Sequence, residues 1–410
     1  MKKRLQDLAF FSGVPLFEPP RPMGQLWVPG KKLFYQYIES IYREKRITNN
    51  GPLVRQLESE LLKVHKCEYC VAFANACIAI IAALKLVARK GDDNSVGEVI
   101  LPSFTYPGLP HLIRWSGYEP KFVDVDEGTH AISATAVENA LTSNIVAILA
   151  VHQVNSPADV DSFARISNKY QVPVIYDSVH GIFGSVNGVP IGNFGEVEIF
   201  SLHATKLVNG FEGGYVTTNH EALASELKLI RNFGIIRDDA TSMLGLNGKL
   251  NEVHAAMALA SLSDREKVVA GNKHRFEKYV NSFKNVPDVT WIEYPAISMY
   301  GQAVEYNYEY FLLKISENWP LTRNEILMLL RAEGALARGY YDPPVHLSSH
   351  FPKHLPVPSL PVTEKLSSSF IQMPVGEMVN DDDIQKLSKW FCSVYDNADA
   401  IKAGLRNGQH

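Results

Sequence analysis

The sequence predicts an α/β protein: a mostly parallel, seven-stranded sheet sandwiched by helices, followed by a smaller C-terminal α+β domain. Three observations carry this. The chain has 410 residues, and single cores stop growing at roughly 250–300 residues, so it should divide. Seven short β-rich runs alternate with helical patterns between residues 69 and 218. Apolar strands alternating with helices indicate a sheet covered on both faces, which is the parallel arrangement. Beyond about residue 285 the alternation gives way to strands at Val289–Ile292 and Tyr308–Ile315 and a helix at Arg323–Glu333.

In chain order, residues 1–45 hold Pro15, Pro19, Pro20, Pro22 and Pro29, which predict an irregular arm ahead of a helix at Lys32–Glu44. Gly51-Pro52 marks a turn before an amphipathic helix at Leu53–Val64. The strand-like runs are Cys70–Ala74, Val99–Leu101, Lys121–Val125, Ile145–Val151, Val172–Tyr176, Val197–Phe200 and Gly214–Thr218. Helical stretches fall at Ala76–Arg89, Gly108–Trp115, Thr135–Leu141 and Val160–Tyr170. Leu250–Tyr279 reads as one or two long helices. The predicted units are an arm with a helix (1–45), a large domain (46–285), a small domain (286–400) and a polar, frayed tail (401–410).

Composition removes several classes of function. With 46% hydrophobic and 20% charged residues, the chain is an ordinary globular one. A formal net charge of -4 without a basic block argues against nucleic acid as a partner. Met1-Lys2-Lys3-Arg4 is followed by Leu5-Gln6-Asp7, not by the apolar run of a signal peptide. No stretch reaches the roughly 18 apolar residues of a membrane span. Cys67, Cys70, Cys77 and Cys392 make no disulfide framework, and Cys67-x-x-Cys70 lacks the second pair of a zinc site. No metal is expected, and a reducing cytoplasm fits best.

No Gly-x-Gly-x-x-Gly follows the first strand, and no Walker-type loop is present, so nicotinamide and nucleoside-triphosphate chemistry is not indicated. Four other segments place chemistry beyond strand ends, where such sheets bind ligands. Asp177 follows the apolar run Val174-Ile175-Tyr176. It reads either as a structural cap or as the anionic partner that keeps a pyridine nitrogen protonated. Lys206 follows Phe200-Ser201-Leu202-His203-Ala204-Thr205, ahead of Gly210, Gly213 and Gly214. Such a lysine is solvated, or in a desolvated pocket is a nucleophile able to form a Schiff base. Asn75 is a candidate N-cap, and the helix start at Ala76-Cys77 is either an ordinary one or a cradle for phosphate. Tyr106 either stacks on a flat ring or is ordinary core. A phosphate cradle, a stacking aromatic, an acid and a lysine in this order are the inventory of a pyridoxal-phosphate (PLP) site.

These segments resemble the fold-type-I PLP sugar aminotransferases of the DegT/DnrJ/EryC1/StrS group over roughly residues 46–380. The most specific match is Asp177-x-x-His180-Gly181, Phe200-Ser201-x-His203-Ala204-Thr205-Lys206 and Glu212-Gly213-Gly214; Gly245–Ala256 supports it. The resemblance implies that Lys206 is the Schiff-base lysine and Asp177 the partner of the pyridine nitrogen. It places His180 at the ring hydroxyl, Tyr106 on the ring, and Ala76, Cys77 and Ser201 at the phosphate. Asn247 matches an asparagine that reaches the neighbouring subunit's cofactor, which implies a homodimer with shared active sites. Ala76 and Cys77 depart from a usual Gly-Thr, and Lys249 and His254 from Arg and Gln. A dehydratase branch of the group has histidine at the lysine position, and Lys206 argues against it.

Arg338-Gly339-Tyr340-Tyr341 and Pro344-Val345-His346 resemble the substrate-proximal stretch of sugar-nucleotide 4-aminotransferases. This implies Arg338, Tyr340 and His346 as substrate residues, an NDP-4-keto-6-deoxyhexose as acceptor and glutamate as donor. The alternatives are a PLP enzyme acting on another ketone, such as a cyclitol, and a non-catalytic binding relative. His350 and His354 read as part of a polar loop.

Overall fold

The computed structural model describes residues 4–91, 95–238, 240–348 and 357–406. His350, His354 and the last four residues of the expected tail lie outside them.

Seven strands form the large sheet: β1 (Tyr69–Phe73), β2 (Glu98–Pro102), β3 (Glu119–Val123), β4 (Ile145–Val151), β5 (Val174–Asp177), β6 (Val197–Ser201) and β7 (Gly214–Thr218). Their spatial order is β1-β7-β6-β5-β4-β2-β3. Strands β6, β5, β4, β2 and β3 pair in parallel. Strand β7 runs antiparallel to both β6 and β1. The mostly parallel sheet read from the sequence is therefore the observed one.

Every residue of β4 is buried, which is why its sequence, IVAILAV, shows no polar alternation. Its side chains split by period two between two cores. Ile148 and Ala150 join the core that also holds Leu57, Leu61, Phe163 and Leu259. Leu149 and Val151 join the opposite core, with Ile80, Ala83 and Leu84 of helix Ala76–Val87. Helices on both faces follow from that split.

The helix Pro52–His65 starts without a side-chain cap of its own. Glu252, 1% exposed, supplies the acceptor from another helix, taking Leu53 N–H at 2.8 Å and Val54 N–H at 3.0 Å. Ionised, the carboxylate also complements the positive end of that helix. The long helical stretch from Leu250 resolves into Glu252–Ser263 and Arg265–Phe283, which meet at Asp264.

A second, four-stranded antiparallel sheet is built from Val289–Trp291, Leu312–Ile315, Phe370–Gln372 and Arg338–Gly339, in that order. The strand foreseen from Tyr308 begins only at Leu312, and Tyr308 has a left-handed backbone (φ 54). The N-terminal arm packs on this C-terminal core through Leu8, Phe11 and Phe17. Buried Glu333 ties it down, accepting from Ala9 N and Leu16 N, both at 3.0 Å, and from Trp390 Nε1 at 3.3 Å. The expected frayed tail is instead helical over Ala398–Arg406. Ala398 and Ile401 are buried in the same core, and Gly404 packs against Phe11 and Leu5. A polar sequence concealed an amphipathic helix whose buried stripe only the arm completes.

Candidate active site

The site forms where β5, β6 and the start of helix Ala76–Val87 converge. Asp177 is the last residue of β5 and is 6% exposed. Its Oδ1 accepts from Val179 N at 3.2 Å. Burial raises its pKa, against the opposing pull of His180, the Val179 N–H and Lys206. The turn after β5 is pinned from below. Ser178 Oγ donates to buried Glu198, which also accepts from Gly192 N and Phe194 N, each at 2.7 Å.

Lys206 lies in a tight turn after β6. Its N–H donates to His203 O at 2.9 Å, Ala204 N to Phe211 O at 3.0 Å and Leu202 N to Gly213 O at 2.9 Å. Its side chain is half-buried and is close enough to lower the pKa of both Asp177 and Glu309 electrostatically. The arm backs the turn: Gln25 N donates to Thr205 O at 3.2 Å, and a Cβ on Gly24 would stand 3.0 Å from Thr205.

Asn75 caps the helix at Ala76–Val87 as the sequence indicated, its side chain accepting from Ile78 N at 2.9 Å. The N–H groups of Ala76 and Cys77 belong to the first turn, which has no acceptor within its own helix. Gly214, at the start of β7, crosses so close that a Cβ there would lie 2.4 Å from Ala76 N. The Cys77 thiol is exposed; partial burial, then Asp177 and Glu212, raises its pKa. Ser201 ends β6, its Oγ accepting from His203 N at 3.2 Å. Tyr106, four residues past the end of β2, is 53% exposed. Asn247 is exposed on the segment bridged to Asn232.

His180 reaches the cluster from the loop after β5. Its Nδ1 is 2.6 Å from Glu309 Oε2, and its ring meets Tyr310 edge-on at 5.5 Å.

The three residues expected at the substrate fare differently. Arg338 is half-buried, with Nε donating to Gln372 Oε1 at 2.7 Å, and its charge is felt by Tyr310 and Tyr341. Tyr340 is 1% exposed, and its hydroxyl accepts from the Tyr341 hydroxyl and donates to Gln153 Oε1. The neighbouring Tyr341 is the tyrosine close enough to feel the charges of Asp177 and Glu309. His346 is 3% exposed, Nδ1 lies 2.6 Å from Ser103 Oγ and Nε2 lies 3.3 Å from Glu364 Oε1. Both ring nitrogens are committed to internal partners.

Comparison with known proteins decides the family. The DegT/DnrJ/EryC1/StrS aminotransferase family model matches residues 30–391. The chain belongs to this family. A dTDP-4-amino-4,6-dideoxy-D-glucose transaminase of Shigella dysenteriae is 31% identical over 326 residues, 80% of this chain and 86% of the relative. One of the same name from Escherichia coli is 28% identical over 375 residues, 90% and 97% of the two chains. The crystal structure of DesI, determined in the presence of its TDP-sugar product, superposes with a TM-score of 0.89 at 29% identity, covering 98% of this chain and all of the other.

As a member of the DegT/DnrJ/EryC1/StrS aminotransferases, the protein is a PLP-dependent transaminase of fold type I. Its residues fit the cofactor on structural grounds alone. Helix-start N–H groups suited to a phosphate, a buried strand-end carboxylate and a half-buried lysine lie within electrostatic reach of one another. Among the described residues no group of histidine, cysteine and carboxylate side chains is arranged to hold a metal. No described helix is long and apolar enough to cross a membrane.

Glu309, Tyr341 and Gln25 were not foreseen. A charged residue inside the aromatic run Tyr306–Phe311 was the available signal for Glu309, because charges seldom enter a core without a partner. Gln25 had no local signal, since its neighbours come from opposite ends of the chain.

Proposed function

We propose that this enzyme transfers an amino group from glutamate to C4 of a nucleotide-linked 4-keto-6-deoxyhexose, working in the cytoplasm as a homodimer. The substrate class follows the names of the two relatives, which span most of both chains. The observation that carries the chemistry is the buried Asp177 carboxylate within electrostatic reach of Lys206 at adjacent strand ends.

Bound PLP supplies an electron sink that lets the Cα–H bond of the amino donor ionise. Lys206 would hold the cofactor covalently, and Asp177 would pair with its ring nitrogen. The N–H groups of Ala76 and Cys77, with Ser201 Oγ, would receive the phosphate. Tyr106 would cover the ring, His180 would face its oxygen, and the partner's copy of Asn247 would close the phosphate side. With a backbone donor at Cys77, the absent threonine hydroxyl costs one hydrogen bond and leaves the cradle otherwise intact. Once displaced by the donor, Lys206 Nζ would be the base that takes the Cα proton and the acid that returns it. Arg338, with Tyr340 and His346 on the same stretch of chain, would orient the amino donor and the keto acceptor in turn. One site serving two substrates in sequence gives ping-pong kinetics.

The test is an absorbance spectrum of the PLP-loaded protein beside Lys206→Ala. A band near about 420 nm, shifted by glutamate toward about 330 nm and lost in the variant, is expected. Parallel initial-velocity lines with glutamate and a dTDP-4-keto-6-deoxyglucose acceptor complete it. A wild-type protein with no such band, or one indifferent to glutamate, refutes the reading.

A further inference from the structure

Glu309 lies behind His180 and is itself 1% exposed. Its Oε2 is 2.6 Å from His180 Nδ1. An ionised carboxylate only accepts hydrogen bonds, so Nδ1 must carry the proton. Burial opposes the carboxylate's charge, but His180 and Lys206 outweigh it and leave the pKa of Glu309 below its usual value. The same segment also grips the backbone of the His180 loop. Asn307 Nδ2 donates to His180 O at 2.8 Å and to Ile182 O at 2.9 Å. Asn307 Oδ1 accepts from Glu309 N at 3.0 Å, and Gln25 Nε2 donates to Glu309 O. Tyr308, between Asn307 and Glu309, keeps its left-handed φ of 54. A non-glycine residue holds that conformation only where its surroundings over-determine it.

The imidazole is thus held at Nδ1, through its backbone and on its flank by Tyr310, while Nε2 has no partner among the described residues. We propose that Glu309 is a positioning residue for the transfer reaction: its carboxylate fixes the proton on His180 Nδ1 and leaves Nε2 as the nitrogen offered to the cofactor ring. A carboxylate behind an imidazole fixes tautomer and orientation together, as partners of functional histidines generally do. The inference rests on His180 contacting the cofactor, as in the function proposed above.

The test uses the intact protein in two states. In the cofactor-free form, ring 15N spectra assigned with His180→Gln report the protonated nitrogen directly. Nδ1 should carry the proton in the wild type, keep it at least in part in Glu309→Asp, and lose its exclusive hold in Glu309→Gln. In the PLP-loaded form, Glu309→Gln should lower kcat of the glutamate half-reaction about 10-fold or more with little change in KM. It should also displace the visible band, and neither effect should appear in the His180→Gln background. A wild-type proton on Nε2 alone, or identical 15N patterns in wild type and Glu309→Gln, overturns the proposal. If instead the aminotransferase reading is at fault, the wild type shows no Lys206-dependent band even when the 15N result holds. The two failures are therefore distinct.

Discussion

Replacing Gly214 with alanine should weaken cofactor binding as well as the fold. A Cβ built on Gly214 lies 2.4 Å from Ala76 N and 2.7 Å from both Ala76 Cα and Asn75 C. All three are backbone atoms, so no side-chain rotation relieves the overlap. Non-bonded heavy atoms rest at about 3.5–4.0 Å, so strand and helix start must separate by about 1 Å. Hydrogen-bond lengths tolerate a spread of only about 0.5 Å. The donors read here as a phosphate cradle are the atoms displaced, and a misplacement of about 1 Å can cost about 100-fold. Overpacking itself destabilises by about 1–3 kcal/mol. Titrating the cofactor-free protein with PLP should show Kd raised about 10- to 100-fold, beside a fall in the denaturant midpoint from the overpacking. Gly30→Ala is the control, because its Cβ would meet nothing within 4 Å. A folded Gly214→Ala protein with the wild-type Kd would refute the reasoning and move the phosphate elsewhere.

Two further outcomes concern stability. His130 is 8% exposed, and burial lowers its pKa from 6.5 to about 4. A lowered histidine pKa means the unfolded chain binds the proton first, so stability falls as pH drops through that window. A difference of about 2.5 pH units is worth about 3 kcal/mol between pH 7 and pH 4. His130→Asn, which tolerates the left-handed backbone at this position (φ 59), should reduce that acid loss in denaturant titrations at the two pH values. An unchanged loss would place the acid sensitivity elsewhere. Glu333→Gln should destabilise by about 3 kcal/mol, because one carboxamide cannot accept from Ala9 N, Leu16 N and Trp390 Nε1 together. It should also speed proteolysis within the first 20 or so residues; an arm as protected as in the wild type would contradict its anchoring by Glu333.

The sheet was legible because burial on both faces writes itself into sequence. Ile145–Val151 and Gly214–Thr218 were read with the bounds they have in the structure. The placement of Asp177 at a strand end and of Lys206 in the turn after β6 was legible as well, since a parallel sheet sends its strand ends to one edge. The breadth of the family match supports that reading of the fold. The surroundings of Tyr340 and His346 were not legible, because sequence proximity to Arg338 says nothing about which way a side chain faces. Tyr340 points into the core, and His346 is consumed by Ser103, 243 residues away.

What the sequence by itself determined is local: strand and helix periods, the Asn75 cap, and an acid and a lysine placed just past apolar strands. What only the tertiary structure decided is how residues far apart in the chain complete one another. Gln25 and Glu309 meet across 284 residues, Glu252 caps a helix 199 residues before it, and Glu309 reaches His180 from 129 residues away. Such pairs leave no periodic trace, because the cost of burying a polar group is offset only when its distant partner arrives.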